Sequence, residues 1–222
     1  MQHTDKKKCK NNLTISYINK RIDEEICYDT INKLKDISLI DDYKKCKSVE
    51  IKVDRLTNIL KKHNVKKNEI KGIINDYILE LIPAGTKGVI KGNKFNSIVK
   101  DTINDMELDN DKFKIRFEKK CHNCQTGEIP DWYILDKKSK KVIIGMNQLD
   151  FWTGGHQSNR GSNYLIGNKI NTDNSKLLCV ICNEQKFTSD SSKTFEFFNI
   201  GFKNNTLCYL NGLEQIINEY FE

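Results

Sequence analysis

Two cysteine pairs, Cys121-His-Asn-Cys124 and Cys179-Val-Ile-Cys182, bracket an interval that holds both tryptophans and one of the two prolines of the chain. A two-residue gap lets both thiolates of a turn address one tetrahedral ion, so two such pairs predict one structural zinc. The expected ligands are Cys121, Cys124, Cys179 and Cys182, clamping both ends of an inserted hairpin and loop. His122 would point away from the ion. A closed four-sulfur site leaves no open coordination position, so no chemistry is expected of this metal. A redox dithiol, or two unrelated pairs, is the competing explanation. Cys9, Cys27, Cys46 and Cys208 are scattered and are expected as small buried apolar side chains.

The remaining numbers fit a globular chain with a wet surface. At 222 residues, 37% hydrophobic and 30% charged, it is long enough for one cored domain, or one domain with a small lobe. A formal net charge of +7, carried mostly by lysine, predicts an anionic partner. Residues Met1 to Lys10 contain no apolar run, and no stretch approaches the length of a membrane span. The expectation is a cytoplasmic, intracellular chain with no membrane partner.

Apolar periodicity divides the chain into a helical lobe over 1–82 and an α/β core over 83–222. In the lobe, helix is expected between Asp23 and Leu34, over Asp54–Lys62, and from Ile70 to Leu81, where apolar residues recur at three and four. The last two, joined by Asn-Val-Lys-Lys, look somewhat like a helix-turn-helix, with plain core packing as the alternative. A helix from Gly92 presents Phe95, Val99 and Ile103. Phe113–Phe117 alternates as a half-buried strand, and Tyr133–Leu135 and Val142–Ile144 flank a five-residue turn as two more. Thr194–Phe202 is expected as a phenylalanine-rich strand and Leu213–Phe221 as an amphipathic helix. The fold class is therefore α/β, with α+β as a variant: a small mixed sheet flanked by helices.

The hairpin carries a resemblance. Pro130-Asp131 opens one strand and Met146-Asn147-Gln148 closes the next. This resembles the PD-(D/E)xK nuclease superfamily, which includes many restriction endonucleases. In that family an Asp begins one strand, an acid-x-Lys triplet sits on its neighbour, and the carboxylates meet at one divalent ion. The resemblance covers roughly Gly92 to Arg160 and implies a catalytic Mg²⁺ held by Asp131, with Asn147 and Gln148 orienting water or phosphate. Here the strand acid is absent and Gln148 takes the lysine place, as in some similar restriction enzymes. The family's early helix often turns an acid toward the site; that position reads Asn96.

The loop after the hairpin crowds Asp150, His156, Gln157, Asn159 and Arg160 between glycines. Asn, Gln and Arg are the side chains that read base edges, and glycine lets backbone approach phosphate, so these five are the expected DNA contacts. A merely solvated loop is the bland alternative. The cysteine pairs also look like the zinc frame of the HNH, or ββα-metal, endonucleases, for which His156 would be the catalytic histidine. The expectation is a metal-dependent endonuclease of type II restriction type, cutting double-stranded DNA at a specific sequence, with a homodimer as an option. A zinc-containing DNA-binding protein without catalysis is the competing class.

Overall fold

A computed structural model describes residues 12–121, 129–149, 165 and 174–222. Among them are eight α-helices and one five-stranded mixed sheet, so the α/β class is what the chain adopts. The helices are α1 (Ile15–Glu25), α2 (Tyr28–Lys33), α3 (Ile40–Lys44), α4 (Lys47–Lys62), α5 (Lys67–Leu81), α6 (Ala84–Asp105), α7 (Lys193–Lys203) and α8 (Leu213–Phe221). The strands are β1 (Phe113–Phe117), β2 (Trp132–Asp136), β3 (Val142–Gln148), β4 (Ser175–Ile181) and β5 (Leu207–Tyr209), and they lie side by side in that order.

The first three strands form an antiparallel meander, and β4 and β5 join parallel to β3 and to each other. The β2–β3 turn is tied by Asp136, whose Oδ1 accepts from the backbone N–H of Lys138 at 2.7 Å and Ser139 at 2.9 Å. Parallel strands covered on both faces lose the polar half of their alternation. Accordingly β4 is buried continuously from Leu177 to Ile181. One face packs Phe95, Val99 and Ile103 of α6 and Leu213, Ile216 and Ile217 of α8 onto Trp132, Ile134, Ile143, Leu178 and Val180.

The other face takes α1 and α7. Thr14 caps α1 by accepting from the N–H of Tyr17, and Ile18 and Ile22 are wholly buried. Asn19 pairs in both directions with the backbone of Phe187, at 2.8 and 2.9 Å. Arg21 lies 4.4 Å from the centre of the Phe202 ring and pairs with Glu25, which in turn accepts from the N–H of Tyr209. The expected division at residue 82 is therefore not where the core divides. Ile18, Ile22 and Ile26 belong to the α/β core, while the separate helical cluster is Leu39, Tyr43, Val49, Ile78 and Ile82 with Ile90 of α6.

Local differences have local causes. Thr194–Phe202 is helix, not strand. Ser192 accepts from the N–H of Phe195 as an N-cap, and Phe195, Phe198 and Phe202 then share a helical side. Phe197 and Gly201 are buried as well, so the face that would have betrayed the period is hidden, and phenylalanine's strand preference points the wrong way. Helix α6 begins at Ala84, behind Pro83, and runs through Gly85, Gly88 and Gly92. The helix expected at Asp23–Leu34 is two helices broken at Ile26–Cys27.

Candidate active site

Strand pairing brings the pocket together. Register pairs Phe117 with Trp132 and Trp132 with Gly145, so the end of β1, the start of β2 and the end of β3 share one edge of the sheet. Helix α6 crosses that edge with Asn93, Asn96, Ser97 and Lys100 along one stripe, the spacing of side chains that share a helix side. With Phe117, Glu118, Asp131, Trp132 and Asn147 they line a pocket of about 210 Å³.

A directed chain of hydrogen bonds runs through it. Trp132 Nε1 donates to Asn147 Oδ1 at 3.0 Å, Asn147 Nδ2 donates to Asn96 Oδ1 at 3.0 Å, and Asn96 Nδ2 donates to Asp131 Oδ1 at 3.3 Å. The backbone N–H of Asn147 donates to Asp131 Oδ2 at 2.7 Å. An indole N–H can only donate, so Asn147 must turn its oxygen to Trp132, and the orientation of both amides follows. Every donor in the chain runs toward the carboxylate. Trp132 itself is seated over Gly145, where a Cβ would lie 1.8 Å from the indole.

Asp131 and Asn147 thus meet as expected, and Asn96 joins them. Gln148 does not. Along β3, Ile143, Gly145 and Asn147 face Trp132, and Leu149 continues that side, while Val142, Ile144 and Met146 face the opposite cluster. Strand alternation sends Gln148 with Met146, so the lysine place beside Asp131 is not filled by Gln148. The cation lining the pocket is Lys100, from the helix.

Two lining residues had no clear sequence signal. Glu118 sits one residue past β1 with φ 48°, in the left-handed region, and its N–H donates to the carbonyl of Asp131 at 2.9 Å. Only the β1–β2 register sets it next to Asp131. Lys100 follows Asn96 by one helical turn, which becomes informative only once Asn96 is known to face the site. Two carboxylates, Asp131 and the exposed Glu118, line the same pocket, and carboxylate oxygens are the donors a hard divalent cation takes. Among the described residues no three or more His, Cys, Asp or Glu side chains cluster as a metal site.

Among the described residues, the expected zinc ligands Cys121, Cys179 and Cys182 lie in three different side-chain clusters. Cys179 and Cys182 lie on and just beyond a strand, not in a turn, and three residues apart on extended chain means opposite faces. Cys179 packs with Ile18, Phe198 and Leu207, and Cys182 with Trp132 and Val180 on the other side of the sheet. Burial, reinforced by the charge of Asp131, pushes the Cys179 thiol up. Cys121 packs with Tyr133, Met146 and Leu177 and is disulfide-bonded. Cys124 and the expected DNA contacts Asp150, His156, Gln157, Asn159 and Arg160 lie outside the described residues.

No described helix is long and apolar enough to cross a membrane. No family model, no curated protein and no solved structure matches the chain.

Proposed function

We propose that the protein is a metal-dependent DNA endonuclease of restriction type, hydrolysing phosphodiester bonds of double-stranded DNA in the cytoplasm. One observation carries this: the Asp131 carboxylate, at the mouth of one strand, is met by Asn147 of the paired strand and Asn96 of the preceding helix in a single pocket. The resemblance to the PD-(D/E)xK superfamily implies Asp131 and the helix position of Asn96, where an acid is expected; Asn147 is the middle residue of the strand triplet, whose acid place reads Met146.

Asp131 and Glu118 would hold Mg²⁺, which would supply neutralisation of the scissile phosphate and a more acidic bound water. The protein's own groups do the positioning. Asn96 and the Asn147 backbone fix both oxygens of Asp131, so the carboxylate is oriented before substrate arrives. Lys100 brings a cation to the same pocket, where a phosphate oxygen gains charge during attack.

The missing acids, Asn96 on the helix and Met146 on the strand, favour a second reading, a DNA-binding protein of this architecture that does not cut. Incubating the chain with mixed duplex DNA and Mg²⁺ separates the two: strand scission supports the endonuclease, and binding without scission supports the non-catalytic protein.

A further inference from the structure

The α4–α5 helix pair has a feature that the pocket does not use. Its base is anchored: Val49 and Val53 of α4 and Ile78, Leu79 and Ile82 at the end of α5 pack with Leu39, Tyr43 and Ile90. Among the described residues between 54 and 77 only Ile70 is buried, and none of them belongs to the four core clusters. At 1.5 Å per residue, the stretch from Val53 to Lys62 carries the far end about 14 Å beyond that base. The turn there is closed by hydrogen bonds. Asn64 takes φ 60°, Asn64 N donates to Lys61 O at 3.0 Å and Val65 N donates to Leu60 O at 3.1 Å, closing both carbonyls of a Schellman cap.

This end is strongly basic. Residues 61–71 include Lys61, Lys62, Lys66, Lys67 and Lys71 against the single acid Glu69. All five lysines are exposed, and none makes an ion pair among the described residues. Lys61 and Lys62 suit the dipole at the end of α4, but Lys66 and Lys67 stand at the start of α5, where the helix dipole disfavours cations, so helix stability does not account for that pair. The base of the pair and the pocket are fixed to the same helix, since α6 supplies Ile90 to one and Asn96 and Lys100 to the other.

We propose that the far end of the α4–α5 pair is a second DNA-contacting surface, whose lysines hold the phosphate backbone of a duplex at a distance from the pocket. The proposal rests on the reading of the partner as double-stranded DNA. Phosphates are recognised there by charge alone, so the contact is indifferent to sequence and sensitive to salt.

The test compares the full-length parent with the quadruple variant K61Q, K62Q, K66Q, K67Q, and with a control, K33Q, K35Q, K138Q, K193Q, that removes as much charge elsewhere. Duplex affinity is titrated at several salt concentrations, cleavage is timed at saturating DNA, and binding to vesicles of mixed neutral and acidic phospholipid is measured. The proposal expects the tip variant to bind DNA at least tenfold more weakly, with the slope of log affinity against log salt smaller by about 2 to 4, at roughly 0.9 per lost phosphate contact. Its cleavage rate at saturation should match the parent's, and the control should stay near the parent in affinity. Equal loss in both variants, or a tip variant that binds as the parent does, overturns the proposal while leaving the endonuclease standing. Loss of vesicle binding with unchanged DNA affinity assigns the tip to acidic lipid and overturns it too. A parent that binds no duplex at all fails the underlying reading as well.

Discussion

Trp132 and Asn147, on neighbouring strands, are joined by an indole N–H donated to an amide oxygen at 3.0 Å. That bond sets the polarity of the whole pocket, because it leaves Asn147 only its amino group to offer Asn96, and Asn96 only its amino group to offer Asp131. Trp132 is almost wholly buried, so its N–H has no water to fall back on.

Replacing Asn147 tests this order. Asn147→Leu strands the Trp132 donor and the Asn96 acceptor, and is expected to cost about 2 kcal/mol in urea unfolding. Asn147→Asp keeps the acceptor for Trp132 but sets a second carboxylate near Asp131. It should be less stable than the parent in chelator and regain stability on adding Mg²⁺, with the parent gaining less. Thermal midpoints measured with and without Mg²⁺ check both.

Gly145→Ala addresses the seat of the indole. A methyl group there would meet three ring atoms of Trp132 at 1.8 to 2.2 Å, and the ring is enclosed by the core. Overpacking of this kind should cost about 3 kcal/mol and displace the pocket end of β2. Unfolding curves read the loss, and fluorescence of the tryptophans reads the movement.

Asp36 ties the small helical cluster together, accepting from the buried Tyr43 hydroxyl at 2.9 Å and pairing with Lys91 and Lys87. Burial raises its carboxyl, but the hydrogen bonds from Lys91 and Tyr43 and the charges of both lysines outweigh it, so its pKa lies below the ordinary value. A carboxyl depressed in the folded state stabilises above its unfolded value, about 3.9, and that contribution is lost as pH falls through the folded value. Asp36→Ala should therefore cost about 1 kcal/mol near pH 7 and progressively less below pH 4. Urea unfolding at pH 7, 4 and 3 follows it.

The first three strands and the last helix were legible in the sequence because their signals are short-range, whereas β4 and β5 were not expected. Alternation in Phe113–Phe117, the turn residues after Asp136 and the apolar stripe of Leu213–Phe221 each mark an element without reference to the rest of the chain. Asp131 was legible through the proline before it and the strand after it, and Asn147 through the strand end opposite. What the sequence hid depends on partners. Phe197 and Gly201 are buried along with the Phe195–Phe202 side, so α7 has no polar face broad enough to show its period. Cys179 and Cys182 have the spacing of metal ligands, but that spacing has a different meaning on extended backbone, and only the pairing of β4 with β3 and β5 decides which applies. Gln148 was one residue out of phase for the same reason: alternation fixes faces absolutely, and Asn147 holds the one toward Asp131. Glu118 and Lys100 become visible only through the β1–β2 register and the crossing of α6.

The most direct measurement is Mg²⁺-dependent cleavage of duplex DNA by the parent and by Asp131→Asn. The substitution preserves shape and keeps an oxygen for one of the two donors now on Asp131, but removes the charge that would hold the ion. The account predicts that the parent cuts DNA in Mg²⁺ and not in chelator, and that Asp131→Asn loses cleavage by at least about 100-fold while binding the same duplex with unchanged affinity. An Asp131→Asn protein that cuts DNA as fast as the parent would contradict the assignment of this pocket.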